Sequence, residues 1–387
     1  MKPIPYAKQF ISPEDIQAVV DVLRSDFLTQ GPAILNFEKA VAKFCEAKHA
    51  VAISNATAAL HLACLAVGLK PGEWLWTVPN TFVASANCAL YCGAKVDFVD
   101  IDPATYNISI DALKAKLASA EREGKLPRVL VPVHFSGQSC EMAEIAELAE
   151  KYGFAVIEDA SHAIGGEYKN RKVGSCAYSD MTILSFHPVK IITTGEGGMV
   201  LTNNAEYADR ISRLRTHGIT RDPNLMTHPA EGPWYYQQIE LGFNYRMTDI
   251  QAALGHSQLK NLNAFIDRRR QLAERYFEKL EHLPLRLPWR HPDSLSAFHL
   301  FVVRLKLDQI SKTQSQVFKD LHRAGVLVNL HYIPVHLQPY YMAMGFHKGQ
   351  FAEAEKYYSE AMSLPMYVGL TEEEQDEVVS RLSEVLK

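Results

Sequence analysis

The chain has 387 residues, of which 47% are hydrophobic and 22% are charged, with 40 Lys and Arg against 44 Asp and Glu. A chain of this length can bury a large core without disulfides or metals, and its composition excludes intrinsic disorder, collagen and low-complexity scaffolds. A formal net charge of −4 leaves no basic excess to neutralise phosphates, which argues against a dedicated nucleic-acid binder.

Hydropathy predicts neither a membrane span nor a secretory signal. The longest strongly apolar run covers residues 59–69 and is interrupted by His61, whereas a bilayer span needs about 20 apolar residues. The stretch 1–6 lacks the apolar core of a signal sequence. Six cysteines form no C-x-x-C pair and are interpreted as buried, reduced thiols. We expect a cytoplasmic protein with no membrane partner and no metal site.

The predicted elements begin with a helix that Ser12 caps and Pro13 opens, followed by a second helix after residue 32. Short apolar strands then alternate with amphipathic helices. The strands are predicted at 49–54, 75–78, 95–99, 129–133, 154–157, 181–186 and 199–202, and the helices at 56–68, 82–91, 110–120 and 142–152. This βαβα order predicts an α/β fold with a mostly parallel sheet, helices on both faces, and ligands at the carboxyl ends of the strands.

The pattern changes after about residue 250. A long helix is predicted at 248–280, followed by strands at 298–305 and 326–331 and helices at 314–323, 352–362 and 372–386. This order predicts a smaller C-terminal α+β domain. We therefore divide the chain into an N-terminal arm and helix packing with the small domain (1–25), a large domain (26–250) and a small domain (251–387).

Four local features fall where such a sheet binds ligands. Residues 55–57 begin a helix directly after a strand, which favours an anion. Asp159 stands where the strand at 154–157 meets its ligand-facing edge, and Lys190 is an isolated cation among apolar and small polar residues. Residues 195–198 form a glycine-rich turn. Taken alone, each feature has a plain structural explanation: Asn55 or Thr57 as a helix cap, Asp159 as a capping residue, Lys190 as a surface lysine, and residues 195–198 as a tight turn.

Together, these features suit pyridoxal 5′-phosphate. Lys190 would hold the aldehyde as a Schiff base, because desolvation lowers the pKa of an amine and makes it nucleophilic. Asp159 would face the pyridine nitrogen, and at about 4 Å and an effective dielectric constant of ~20 that pair is worth roughly 4 kcal/mol. The sequence therefore predicts a cationic cofactor ring, the electron sink of carbanion chemistry.

The segments 55–57, 158–162, 185–190 and 242–247 resemble those of the DegT-type nucleotide-sugar aminotransferases of fold type I, and the match covers nearly the whole chain. The stretches 216–221, 232–236 and 329–336 are similar to the subgroup that acts in pseudaminic acid biosynthesis. This resemblance implies transfer of the amino group of L-glutamate to C4 of UDP-2-acetamido-2,6-dideoxy-β-L-arabino-hex-4-ulose. The product would be UDP-4-amino-4,6-dideoxy-N-acetyl-β-L-altrosamine.

The resemblance also implies a role for each site residue. Lys190 would be the Schiff-base lysine and proton shuttle, Asp159 the partner of the pyridinium, His162 a neighbour of the phenolic oxygen, and Phe82 the ring that stacks on the cofactor. The phosphate would be held by Ala56, Thr57 and Ser185, and by Asn244 of the neighbouring subunit of a homodimer. The sugar-nucleotide pocket would comprise Tyr6, Asp26, Phe27, Leu28, Thr29, Asn55, Ser185, Asn244, Asn329, Leu330, His331 and Tyr332.

Three alternatives remain open. The first is a transaminase acting on another 4-keto-6-deoxy sugar. The second is a sugar 3-dehydratase, in which relatives replace the Schiff-base lysine with histidine, so Lys190 counts against it. The third is a non-catalytic regulator that binds sugar nucleotides. A dehydrogenase is disfavoured because the glycine fingerprint of dinucleotide-binding folds is missing.

Overall fold

The computed structural model describes residues 3–387. The helices are α1 Pro13–Leu23, α2 Pro32–Cys45, α3 Ala56–Ala66, α4 Ala84–Tyr91, α5 Ile110–Glu123, α6 Met142–Tyr152, α7 Ala205–Leu214, α8 Asp249–Lys260, α9 Leu262–Leu280, α10 Gln314–Arg323, α11 Pro339–Met342, α12 Ala352–Glu360 and α13 Glu372–Leu386. The strands are β1 Ile4–Pro5, β2 His49–Ile53, β3 Trp74–Thr77, β4 Lys95–Phe98, β5 Val129–Leu130, β6 Ala155–Asp159, β7 Glu167–Tyr168, β8 Arg171–Lys172, β9 Met181–Ser185, β10 Gly198–Thr202, β11 Ile219–Thr220, β12 Gln237–Gln238, β13 Leu285–Arg286, β14 Ser294–Leu295, β15 Phe301–Leu305, β16 Val326–Leu327 and β17 Ala361–Leu364. Short 3-10 helices cover Phe135–Gly137 and Val335–Leu337.

A seven-stranded sheet forms the centre of the molecule, in the order β2-β10-β9-β6-β5-β3-β4. Its neighbouring strands are parallel except at β10, which is antiparallel to both β2 and β9. The register places Gly198 opposite both Ser185 and Ile53, and Asp159 opposite Ile183. The carboxyl ends of β2, β6 and β9 therefore meet at one edge of the sheet, where ligands are expected to bind.

The central strands are buried on both faces, which explains their nearly continuous apolar sequences. In β9, Ile183 packs into the cluster that contains residues of α3, α4 and α7. The next residue, Leu184, packs into the cluster with residues of α2, α8 and α9. This alternation confirms the predicted α/β fold with helices on both faces of a mostly parallel sheet.

A smaller antiparallel sheet in the order β13-β15-β17 follows in the C-terminal part of the chain. Residues of α9, α10 and α13 pack with it in a third apolar cluster. At the other end of the chain, β1 pairs in parallel with β16, and α1 packs against α8. Across residues 3–387, every helix is too short or too polar to cross a bilayer.

Several predicted boundaries were wrong. The helix predicted at 248–280 is broken at Asn261, whose ψ of 1° departs from the helical range, so α8 ends and α9 begins there. The helix predicted at 352–362 ends at Glu360, because Ala361–Leu364 pairs with β15 as a buried strand. The strand predicted at 326–331 stops at Leu327. Helix α7, which Asn204 caps, was not predicted.

Candidate active site

The first part of the site is the N-terminus of α3. The Asn55 side chain caps the helix and accepts a hydrogen bond from the N–H of Ala58 at 2.8 Å. The N–H groups of Ala56 and Thr57 have no acceptor among residues 3–387. A Cβ atom at Gly198 would lie 2.6 Å from the Ala56 nitrogen, so only glycine lets β10 approach so closely. Two free N–H groups thus lie beside the Gly198–Ser185 pair and fit a phosphate.

The second part is Asp159, the last residue of β6, which is buried. Its Oδ2 atom accepts a hydrogen bond from the Ser85 hydroxyl at 2.6 Å, and its Oδ1 atom accepts one from the N–H of Ser161 at 3.1 Å. A carboxylate offers about four acceptor positions. These two donors therefore hold the group in a fixed orientation and leave lone pairs for a further donor or cation, as a protonated ring nitrogen would be.

The third part is Lys190, which is half-buried in the turn after β9. Its backbone N–H donates to the His187 carbonyl at 2.9 Å. Burial lowers the pKa of the Lys190 amine to about 8, although attraction to Asp159 opposes this change. The neutral, nucleophilic amine is therefore accessible near neutral pH, as a lysine that reacts with an aldehyde requires.

His162 lies beside these groups as a neutral imidazole. Burial, together with repulsion from Lys190 and His331, holds its pKa well below the ordinary value. Its Nδ1 atom accepts a hydrogen bond from the N–H of Ser136 at 3.3 Å, so the ring proton is on Nε2. Nε2 lies 3.1 Å from the Tyr332 hydroxyl and can donate to its oxygen.

The segment that follows β16 covers this group of side chains. The Tyr332 N–H donates to Asn80 Oδ1 at 3.2 Å, and its ring centroid lies 6.3 Å from that of the exposed Phe82. His331 Nδ1 lies 2.8 Å from the Ser363 hydroxyl. Burial and repulsion from Lys190 lower the pKa of His331 to about 3.

Two further predicted residues of this segment, and one from the N-terminal arm, lie with it. Asn329 exchanges backbone hydrogen bonds with Ser363 and accepts the N–H of Leu330 on its side chain at 2.8 Å. The Tyr6 ring lies 5.3 Å from the His331 ring. The structure thus places Tyr6 of the N-terminal arm beside the 329–332 segment.

Two predicted parts of the site lie away from this group within one chain. Asp26, Phe27, Leu28 and Thr29 are all exposed, and this stretch contacts the start of α8, where the Asp249 N–H donates to the Leu28 carbonyl at 3.0 Å. Asn244 is also exposed and forms a backbone bridge with Thr216. The structure shows no contact of these residues with Lys190, Asp159 or His162 within residues 3–387.

Three polar residues of the site were missed from the sequence. Ser85 contacts Asp159, while Asn80 Nδ2 and His299 Nδ1 are buried atoms without a hydrogen-bond partner among residues 3–387. The His299 ring lies 4.4 Å from that of His162. Ser85 is one of two polar residues, with Asn87, inside the mostly apolar 82–91 segment, which is only a weak signal for it. His299 has no comparable signal, because it lies 137 residues from His162 in the chain.

The residues present fit pyridoxal 5′-phosphate. Free N–H groups suit its phosphate, the buried Asp159 suits its ring nitrogen, the lowered pKa of Lys190 suits its aldehyde, and the exposed Phe82 can cover its ring. Within residues 3–387, no group of three or more His, Cys, Asp or Glu side chains is arranged to hold a metal ion.

Comparisons with known proteins agree with this chemistry. The sequence model of the DegT/DnrJ/EryC1/StrS aminotransferase family matches residues 9–383. The chain is 38% identical over 365 residues to the UDP-4-amino-4,6-dideoxy-N-acetyl-β-L-altrosamine transaminase of Campylobacter jejuni subsp. jejuni serotype O:23/36 (strain 81-176), covering 94% of this chain and 92% of that protein. It is also 38% identical over 359 residues to the GDP-perosamine synthase of Caulobacter vibrioides, covering 92% and 91%.

Solved structures show the same relationship. PseC of Helicobacter pylori, an aminotransferase of pseudaminic acid biosynthesis, superposes with a TM-score of 0.90 at 29% identity, covering 100% of this chain and 99% of that one. The PLP form of the putative sugar aminotransferase Spr1654 of Streptococcus pneumoniae superposes with a TM-score of 0.88 at 25% identity, covering 99% and 98%. The chain therefore belongs to the DegT/DnrJ/EryC1/StrS aminotransferase family and is a pyridoxal-phosphate-dependent nucleotide-sugar aminotransferase.

Proposed function

We propose that this enzyme transfers the amino group of L-glutamate to C4 of UDP-2-acetamido-2,6-dideoxy-β-L-arabino-hex-4-ulose. The product is UDP-4-amino-4,6-dideoxy-N-acetyl-β-L-altrosamine, an intermediate of pseudaminic acid biosynthesis. The observation that carries the proposal is the similarity to two Campylobacter jejuni transaminases named for this product, at 38% and 36% identity over most of the chain. The TM-score of 0.90 with PseC supports it.

We assign the cofactor contacts to the residues described above. The free N–H groups of Ala56 and Thr57 and the hydroxyl groups of Thr57 and Ser185 bind the phosphate. Asp159 binds the ring nitrogen, His162 lies near the phenolic oxygen, and Phe82 packs on the ring face. When bound, pyridoxal phosphate supplies an aldehyde and an electron-withdrawing ring that stabilises a carbanion.

Lys190 has the properties of the group that moves the proton. An amine with a pKa of about 8 can accept a proton and return it near neutral pH, because neither form is strongly favoured. The neighbouring His162 and His331 are neutral, and burial together with Asp159 raises the pKa of the Tyr332 phenol. The aromatic side chains beside Lys190 therefore add no charge to that of Lys190 and Asp159, and can bind a sugar through neutral hydrogen bonds.

We further propose that the enzyme is a cytoplasmic homodimer with shared active sites. The first two helices and the loop between them expose a set of large apolar side chains, namely Ile16, Leu23, Phe27, Leu28 and Leu35. We infer that these side chains form one apolar patch, which is typical of an interface. A partner on this surface would bring residues 26–29 and Asn244 of one subunit to the pocket formed by Tyr6, Asn55, Ser185 and residues 329–332 of the other. The enzyme would then complete each sugar-nucleotide site with two chains.

A second candidate is a C4 aminotransferase for another nucleotide-linked 4-keto-6-deoxy sugar. The 38% identity to a GDP-perosamine synthase favours it, because that level equals the identity to the altrosamine transaminase. Both candidates use the same cofactor contacts and differ only in the pocket for the sugar and the nucleotide.

The test is mass analysis of products from a panel of UDP-linked and GDP-linked 4-keto-6-deoxy sugars incubated with nitrogen-15 glutamate. We expect the label at C4 of the UDP-linked β-L-arabino sugar, and none with the Lys190→Arg variant. Preferential amination of a GDP-linked sugar would reject the proposed substrate in favour of the second candidate. Both candidates would be contradicted if none of the sugars in the panel acquired the nitrogen-15 label.

A further inference from the structure

A chain of buried hydroxyl groups leads to Asp159 from the segment that carries Phe82. Thr81 Oγ1 lies 2.8 Å from Ser85 Oγ, which in turn lies 2.6 Å from Asp159 Oδ2. Thr81 is 2% exposed and Ser85 is fully buried. Ser85 lies in the first turn of α4, where its N–H donates to the Phe82 carbonyl at 3.2 Å. The three side chains therefore form a contact that water does not reach.

The direction of these hydrogen bonds follows from the number of protons available. An ionised carboxylate only accepts, so the Ser85 hydroxyl must give its single proton to Asp159. Ser85 then has no proton left for Thr81, and the Thr81 hydroxyl must donate to Ser85. Two hydroxyl groups aligned in this way polarise each other, which strengthens the bond to the charged group.

This chain of hydroxyl groups connects two residues that are assigned to different parts of the same cofactor. Phe82 follows Thr81 directly and is assigned to the ring face, whereas Asp159 is assigned to the ring nitrogen. A displacement of the first turn of α4 would therefore change the orientation of the carboxylate and the position of the stacking ring together.

We infer that Ser85, with Thr81 behind it, is a positioning residue that holds the Asp159 carboxylate toward the cofactor ring nitrogen. This inference rests on the proposed role of Asp159. Ser85 contributes to cofactor binding only through that carboxylate, and Thr81 contributes only through Ser85.

The experiment is a double-mutant cycle on the affinity of the full-length apo-protein for pyridoxal 5′-phosphate, followed by the absorbance of the bound cofactor. The variants are Ser85→Ala, Thr81→Val, Asp159→Ala and the double variant Ser85→Ala/Asp159→Ala. The control variant is Thr202→Val. It removes a buried hydroxyl group that donates a hydrogen bond to the Asp180 carbonyl at 2.7 Å. Thr202 lies at the end of β10 opposite to Gly198, and therefore away from the cofactor site. Such a cycle separates the interaction energy of the Ser85–Asp159 pair from a general loss of stability.

We expect Ser85→Ala to weaken cofactor binding about tenfold and Thr81→Val about threefold, because a hydrogen bond to a charged group is stronger than a neutral one. Thr202→Val should bind as the unchanged protein does. In the Asp159→Ala background, Ser85→Ala should change the affinity less than about twofold.

Three outcomes would overturn the inference. Unchanged affinity in Ser85→Ala, with a large loss in Asp159→Ala, would reject the role of Ser85 and leave the role of Asp159 intact. An equal loss from Ser85→Ala in both backgrounds would assign Ser85 to general packing. Unchanged affinity in Asp159→Ala would reject the proposed role of Asp159 and this inference with it.

Discussion

Two regions of the candidate site differ in whether their residues contact one another within a single chain. At the edge of the central sheet, Asp159, His162 and Tyr332 are held by hydrogen bonds within the chain. In the 26–29 stretch and at Asn244, the side chains are exposed and contact none of that group. Asp159, His162 and Tyr332 are thus linked within one chain, whereas residues 26–29 and Asn244 lie exposed and apart from them. We propose that a second copy of the chain covers the exposed region.

The largest effect is expected at the centre of the organised region. Lys190→Arg keeps the positive charge but removes an amine that can lose its proton near neutral pH. We expect transamination to fall by at least about a thousandfold, because both attack on the aldehyde and proton transfer are lost. The measurement is the steady-state rate with glutamate and the keto sugar; a rate near that of the unchanged enzyme would remove Lys190 from the mechanism.

The exposed region is tested by mixing two inactive proteins. Asn244→Ala should lower the rate about a hundredfold if Asn244 completes the neighbouring site with a charge-assisted hydrogen bond to the phosphate. When Asn244→Ala and Lys190→Arg proteins are mixed and allowed to exchange subunits, each heterodimer should contain one intact site. Random pairing then restores about a quarter of full activity.

The matched control for subunit exchange is a mixture of Lys190→Arg with Asp159→Ala, two residues assigned to the same site of one chain. That mixture should stay inactive, because every site carries one of the two changes. Recovery in the control, or none in the Asn244 mixture, would contradict a site shared between subunits.

The pH dependence of cofactor capture tests the electrostatics of the organised region. Because burial lowers the pKa of Lys190 from 10.5 to about 8, the neutral amine forms as the pH rises through about 8. We expect the rate at which the apo-protein captures pyridoxal 5′-phosphate to rise about tenfold per pH unit below that value and to level above it. Asp159→Asn should move the midpoint lower, because it removes the attraction that raises the pKa; a midpoint near 10.5 would contradict the burial of Lys190.

The smallest effect is expected from Tyr332→Phe, which removes the hydroxyl 3.1 Å from His162 Nε2. A neutral hydrogen bond contributes about 1 kcal/mol, so we expect a loss of about fivefold in kcat/KM for the keto sugar. Tyr340→Phe, which changes an exposed ring, is the matched control. Equal kcat/KM values for the two variants would show that the His162–Tyr332 contact does not contribute to catalysis.

Local signals explain why part of the site could be predicted. Lys190 stands out because its neighbours in sequence are apolar or small, and Asp159 because it ends an apolar strand. Ser85 could not be assigned in the same way, since its partner Asp159 lies 74 residues away. The strand at Ala361–Leu364 was missed for a similar reason, because pairing with β15, which lies far away in sequence, overrides a helical pattern.

The amino-acid sequence alone determined the alternation of strands and helices, the parallel sheet, and the chemical identity of the lysine and the carboxylate. These depend on periodicity and on side-chain chemistry, which are local. Only the tertiary structure decided which donors hold Asp159, how far burial lowers the pKa of Lys190, and that His162 and His331 remain neutral. Each of these depends on distances between residues far apart in the chain, and on the exclusion of water that only the folded arrangement provides.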